Sequence, residues 1–279
     1  MIVLSHYQTA PLLAARRAGA AETVTSTDLG LTETTAALDT DGVTFAGGAW
    51  LTWAQAEAIQ RAEVNCFHLE AGALRELKVF SEDTERVYTL MPTPRAPTML
   101  ISGLPMHRIK DVDPQEDTRR KIKTVAPIGG RVLDTSTGLG YTAIAAAATA
   151  EHVVTIEFDP AVLELAWHNP WSQALFTHPR LEQRLGDAFD VVPQLPAGSF
   201  ARIVHDPPTF SLAGHLYSGE FYRELRRVLT AKGRLFHYIG NPDSPSGART
   251  TKGVVRRLKE AGFERVVARP EAFGVVAFG

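Results

Sequence analysis

The chain has 279 residues, 44% apolar and 22% charged, with a formal net charge of −2, which suits one larger domain with a smaller appendage and an ample core. That charge excludes a protein that grips nucleic acid through its overall balance, although a local basic patch stays open. The single cysteine, Cys66, excludes an internal disulfide framework or a cysteine-rich zinc site, and no metal is expected.

The opening stretch MIVLSHYQTAPLLAARRAGA interrupts its apolar residues with His6, Gln8 and Pro11, unlike a secretion signal. Downstream, AIAAAATA at 143–150 is too short to cross a bilayer, so a soluble, cytoplasmic protein without a membrane partner is expected. TTAALDTDGVTFAG places two β-prone runs around Asp41-Gly42, a hairpin signal, and Thr52 stands as the N-cap of a following helix. CFHLE, LRELKVF and RVYTLMP read as a short antiparallel meander, with Cys66 as a core strand residue. MPTPRAP at 91–97 reads as a linker. The expected division is therefore a β-rich accessory domain over 1–100 and a second domain over 101–279.

From about residue 126 the pattern becomes an alternation of strands and helices, the signature of a doubly wound α/β fold with a largely parallel sheet. Strands are expected at 131–134, 152–157, 181–185, 201–205 and 233–239, with helices at about 140–150, 160–168, 187–194 and 218–230. A last helix at about 251–261 precedes FERVVA and FGVVAF, which read as an antiparallel finish to the sheet. The basic run RRKIK at 119–123 and the stripe Lys252, Arg256, Lys259 could meet phosphates but read more simply as solvated helix faces.

RVLDTSTGLGYTAIAAA carries the sharpest chemical signal: a strand ending in Asp134, a small-residue loop with Gly138 and Gly140, then a helix. Glycine lets a ligand approach the backbone, and a helix N-terminus offers unpaired amides and a positive dipole end. The next two strands also lead into acids, Glu157 and Asp187, so three acids share the carboxyl edge of the sheet. A carboxylate at the end of the second strand can accept hydrogen bonds from ribose hydroxyls. A dinucleotide site is a rival, since GLGYTA fits Gly-x-Gly-x-x-Ala; against it, Asp134 and three further residues precede the first glycine, and no hydride-transfer site is evident. A structural turn that binds nothing is the bland alternative.

On VLDTSTGLG, VVTIEFD, GDA and DPPTF, residues 110–279 resemble the class I S-adenosylmethionine-dependent methyltransferases. The resemblance implies a Rossmann-like, seven-stranded sheet and S-adenosyl-L-methionine as the cofactor. Ser136 replaces the first glycine of the family's acid-x-Gly-x-Gly-x-Gly loop. By resemblance, Asp134, Ser136, Gly138 and Gly140 would line the methionine part of the donor, Glu157 its ribose, and Asp187 with Ala188 its adenine.

HDPPTF at 205–210 ends the fourth strand, because two prolines without amide hydrogens cannot continue a ladder. In the resembling amino-methyltransferases such a loop binds a planar nitrogen. Asp206 and the carbonyl of Pro207 would accept from an N–H group while Phe210 stacks on the ring. DPPTFS is similar to a form found in some ribosomal RNA base methyltransferases, so the acceptor expected is a small molecule or an RNA base. LYSGEFYRELRRVLTAKGRLFHY, 216–238, resembles the spermidine synthases instead, making aminopropyl transfer the alternative, with a non-catalytic nucleotide-binding module behind it. His107 and Arg108 lie where related enzymes close over the donor, though a lone histidine is more often structural. The sequence does not fix an oligomeric state.

Overall fold

The computed structural model describes residues 1–242 and 244–279, residues 245 and 246 by their backbone alone. The chain divides into two compact units, residues 1–115 with 161–173, and residues 116–160 with 174–279.

The first unit contains short antiparallel sheets and two capped helices. The Asp41-Gly42 hairpin forms as expected: Asp39 Oδ1 accepts from both the Asp41 and Gly42 amides at 2.8 Å. Thr52 caps the helix Trp53–Arg61 in a reciprocal box with Gln55. A second such box, Ser5 with Gln8, opens a helix at His6–Arg17 that sequence reading passed over. Leu4, Leu12, Val43, Leu51, Trp53 and Ile59 form the core. The meander is split: Phe67–Glu70 and Ala73–Glu76 pair in one sheet, while Lys78–Ser81 and Arg86–Met91 belong to another. The stretch read as a linker is the connection of a hairpin, because Met91 pairs with Thr98 across it. Its prolines mark a turn within one sheet rather than a boundary.

The second unit is built on β1 (Arg131–Asp134), β2 (His152–Glu157), β3 (Leu181–Leu185), β4 (Phe200–His205), β5 (Leu229–Tyr238), β6 (Arg265–Arg269) and β7 (Gly274–Phe278). They form one seven-stranded sheet in the order β3-β2-β1-β4-β5-β7-β6. The first five strands are parallel, and β7 is antiparallel to both β5 and β6. β2 is buried along nearly its whole length and β4 over its second half because helices cover both sheet faces. This is the Rossmann-like methyltransferase fold, and its sheet matches the expected α/β class. The strand order reverses between β1 and β4, which opens a crevice at their carboxyl ends.

Two starts differ by four residues or more. β5 begins at Leu229, four residues earlier than expected, and the last helix spans Pro245–Glu260 rather than starting near 251. Ser244 is its N-cap and Pro245 its first residue, a start signal masked by the glycine that follows. Among the described residues, no helix is long and apolar enough to cross a membrane.

Candidate active site at the carboxyl edge of the sheet

Asp134 ends β1 fully buried. Its Oδ2 accepts from the hydroxyls of Thr155 at 2.9 Å and Thr142 at 3.3 Å, while Oδ1 is buried without a hydrogen-bond partner among the described residues. Burial, reinforced by nearby Asp206 and opposed by the Thr155 hydrogen bond, raises its pKa from 3.8 to about 8. Beyond it, half-buried Ser136 and Gly138 lead into the helix α1 (Tyr141–Ala147), whose N-cap is Gly140. Gly140 has φ +77°, and a Cβ there would come within 2.8 Å of Leu175 Cδ2, so both backbone and space require glycine. Gly138 has φ +52°, but a Cβ there would meet nothing within 4 Å. The loop is therefore open at Gly138 and closed at Gly140.

Glu157 ends β2 and is turned into this loop. Its Oε2 accepts from Gly138 N–H at 2.8 Å, and Oε1 from Phe158 and Asp159 N–H at 2.9 and 3.1 Å. Burial pushes its pKa from 4.5 to about 7 despite these three donors. Since a carboxylate offers about four lone-pair positions, roughly one remains for a ribose hydroxyl unless the Gly138 contact opens. Asp187 follows β3 as an N-cap, accepting from Phe189 N–H at 2.8 Å; Ala188 behind it is buried. His215 Nε2 lies 3.0 Å from Asp187 Oδ2. Sequence reading missed two apolar residues on this edge, Phe158 and Leu185, both more than half exposed and each next to or near one of these acids. The available signal was an apolar side chain placed just outside a buried strand.

β4 delivers His205, Asp206 and the double proline. His205 is wholly buried, with Nδ1 2.7 Å from the Thr135 hydroxyl and Nε2 3.0 Å from the Leu216 carbonyl. Burial lowers its pKa to about 3, so the ring is neutral: Nε2–H donates to Leu216 and Nδ1 accepts from Thr135. Pro207 is buried, Pro208 accepts from the Tyr217 hydroxyl at 3.1 Å, and Phe210 is 57% exposed with its ring edge-on to Tyr217 at 5.5 Å. The aromatic is thus presented outward rather than packed away.

Asp206 does not stand alone. Lys121 Nζ lies 2.7 Å from Asp206 Oδ2 and 2.8 Å from Asp117 Oδ2, and 4.7 Å from the centre of the Tyr238 ring. The helix that supplies Lys121 and Asp117, Pro114–Val125, buries Asp117, Thr118, Lys121 and Val125 along one face. Burial works against the Lys121 ammonium, yet Asp206 and Asp117 outweigh it and hold its pKa above the ordinary range. Burial raises Asp206, and Lys121 offsets this only in part. Reading RRKIK as a wholly solvated face was therefore wrong at Lys121. The missed signal is the Asp117-to-Lys121 spacing of four on the face that carries Val125. His107 falls in the other unit, its Nδ1 3.0 Å from the buried Thr98 hydroxyl, a structural contact. Lys252, Arg256 and Lys259 are exposed, as expected of a solvated stripe, and Cys66 is buried in the first unit.

No protein-family model matches the chain. It is 52% identical over 192 residues to an uncharacterized protein of Methanocaldococcus jannaschii, MJ1233, an alignment that covers 68% of this chain and 66% of that one. It is 34% identical over 123 residues to polyamine aminopropyltransferase 2 of Streptomyces coelicolor, covering 42% of this chain and 22% of that protein. A polyamine aminopropyltransferase of Sulfolobus acidocaldarius is 28% identical over 120 residues, with 42% and 39% covered. The matched stretch thus spans less than two thirds of each relative's length. Among solved structures, a spermidine synthase in complex with the transition-state analogue AdoDATO superposes with a TM-score of 0.56 at 16% identity over 75% of each chain. MNMC2 from Aquifex aeolicus gives 0.51 at 16% identity, covering 72% of this chain and 69% of that one. These likenesses establish the fold.

Proposed function

We propose that the chain transfers a methyl group from S-adenosyl-L-methionine to a nitrogen of a planar, nucleobase-like acceptor. The open approach at Gly138 and the partnerless Oδ1 of Asp134 fit a donor that brings backbone contact and an amine. Asp134, Ser136, Gly138 and Gly140 would hold its methionine part, Glu157 its ribose, and Asp187 with Ala188 its adenine, with Phe158 and Leu185 offering apolar faces. When bound, the donor supplies an electrophilic methyl carbon on a sulfonium. Asp206 then positions the acceptor. With Oδ2 held by Lys121, Oδ1 accepts the acceptor's N–H, and the Pro207 carbonyl, rigid in a proline backbone, accepts alongside it. Burial raises the Asp206 pKa, so this carboxylate is suited to take the proton that the nitrogen releases. Phe210 stacks on the ring.

The observation that carries this reading is the Lys121–Asp206 pair. Lys121 occupies Asp206 Oδ2 and leaves Oδ1 alone to meet an acceptor, and no further acid follows Asp206 until Glu220, so the loop offers little carboxylate to hold a second ammonium. A second reading, aminopropyl transfer, draws on the two aminopropyltransferase relatives. Calorimetry with S-adenosylmethionine and its decarboxylated form, followed by mass spectrometry of extract fractions incubated with labelled donor, separates the two. Tighter binding of the carboxylated donor and a gain of one methyl are expected. Preference for the decarboxylated donor sinks methyl transfer.

A further inference from the structure

On the second unit, a cavity of about 740 Å³ is lined by Glu116, Arg119, Arg120, Lys123, Arg234 and Arg269, with Thr124, Ala126 and Glu271 completing it. Five of these side chains are cationic and two are acidic, in a chain whose net charge is −2. The concentration is structural. Glu116 holds Arg120 at 2.7 Å and also pairs with Arg119, so the acid fixes two guanidinium groups in place. Arg234 Nη1 donates to the Ala126 carbonyl, just beyond the end of the helix Pro114–Val125. Arg202, which pairs with Arg234 across β4 and β5, has its pKa lowered by burial and then by the Arg234 charge. With five cations against two acids, the lining carries a net positive charge that an anion would offset.

The direction of the groove indicates which anion. Arg234 lies four residues before Tyr238 on β5, so at about 3.3 Å per residue the groove covers roughly 13 Å of strand. Arg269 pairs with Gly274, which in turn pairs with Tyr238, so the Arg269 end lies level with the carboxyl edge of the sheet. The helix that lines the groove with Arg120 and Lys123 is the one that sends Lys121 to Asp206. One helix therefore presents cations to the groove and a buried ammonium to the acceptor carboxylate.

We propose that this groove binds the phosphodiester backbone of a single-stranded nucleic acid whose unpaired base is the acceptor at Asp206 and Phe210. This rests on the nitrogen-methylation reading and specifies its substrate class. An unpaired strand is required because Phe210 stacks on an accessible base face, which a duplex hides. Each phosphate contact contributes about 0.7 to the dependence of log affinity on log salt.

The test is fluorescence anisotropy with a labelled single-stranded RNA dodecamer over a salt series, on the full chain and on Lys123→Glu/Arg269→Glu. Both residues lie outside the donor and acceptor contacts, and calorimetry with S-adenosylhomocysteine checks that donor affinity is retained. The expected result is salt-dependent RNA binding, weakened roughly tenfold or more by the double variant with a shallower salt slope. RNA binding that the variant leaves unchanged overturns the proposal. So does displacement of the RNA by tripolyphosphate at matched phosphate concentration, or by poly-glutamate at matched charge, since a free anion or an acidic peptide would then be the occupant. Binding requires no turnover. If RNA binds through the groove but the decarboxylated donor is preferred, methyl transfer fails and the groove stands; if methyl transfer holds but RNA does not bind, the groove assignment fails alone.

Discussion

At the ends of β1 and β2, the partners of Asp134 and Glu157 are hydroxyls and backbone N–H groups; at the end of β4, Asp206 meets the ammonium of Lys121. All three carboxyl pKa values are raised by burial, but only Asp206 has a full positive charge within hydrogen-bonding distance. The donor side of the edge thus has acids whose charge depends on pH and on what binds there. At the end of β4, Lys121 sets a positive charge against Asp206 and offsets part of the burial that raises its pKa. If the proposed roles hold, the donor acids would respond to pH and ligand while Asp206 would be held in place by Lys121.

The comparison breaks most visibly at Lys121. Lys121→Met leaves buried Asp117 and partly buried Asp206 without their cation, and urea unfolding should show a loss of about 3–5 kcal/mol. Adding Asp117→Asn should recover part of it. A loss below about 1 kcal/mol would mean that the cluster is solvated and not fixed.

On the donor side, Glu157 titrates between its ordinary 4.5 and about 7. Because the folded state favours the protonated carboxyl, its contribution to stability is fully present below pH 4.5 and is lost as pH rises through about 7. Glu157→Gln should flatten the pH dependence of ligand-free stability over that window by on the order of 3 kcal/mol. Asp134 adds a loss of the same sign that persists to about pH 8 in both proteins. Identical profiles for the two proteins would refute a conditional charge at Glu157.

Asp206→Asn should cost on the order of a hundredfold in turnover and leave the affinity for S-adenosylhomocysteine unchanged, which sharpens the division between the two sides. Full turnover in that variant would reduce HDPPTF to a strand terminator. The smallest effect is expected at Phe210, where alanine should weaken a planar acceptor by about 1–3 kcal/mol in a binding titration and leave the donor untouched.

Most of the parallel strands were legible as short, largely apolar runs with a clear stop, and β1, β2 and the more polar β3 fall at the expected residues. The acids at their ends follow from that register. Lys121 was not legible in the same way, because a lysine within a basic run looks solvated unless its distant partner Asp206 is known. Glu157 ends β2 at the expected residue, but its three backbone donors come from a loop folded back over it, which no spacing reveals. The helix His6–Arg17 was obscured by Pro11 in its interior, and the first unit's short strands gave a weak period from which their pairing could not be read.

His205, pinned between the Thr135 hydroxyl and the Leu216 carbonyl, anchors both ends of the segment from Asp206 to Tyr217. Its clamp is an uncharged ring that stays uncharged down to about pH 3. Between those anchors, Thr209, Phe210 and Ser211 are exposed, and the donor-side acids lie on other strands. The result is a cassette: the three consecutive exposed residues 209–211 could be exchanged to suit a different acceptor while the mounting is left as it is.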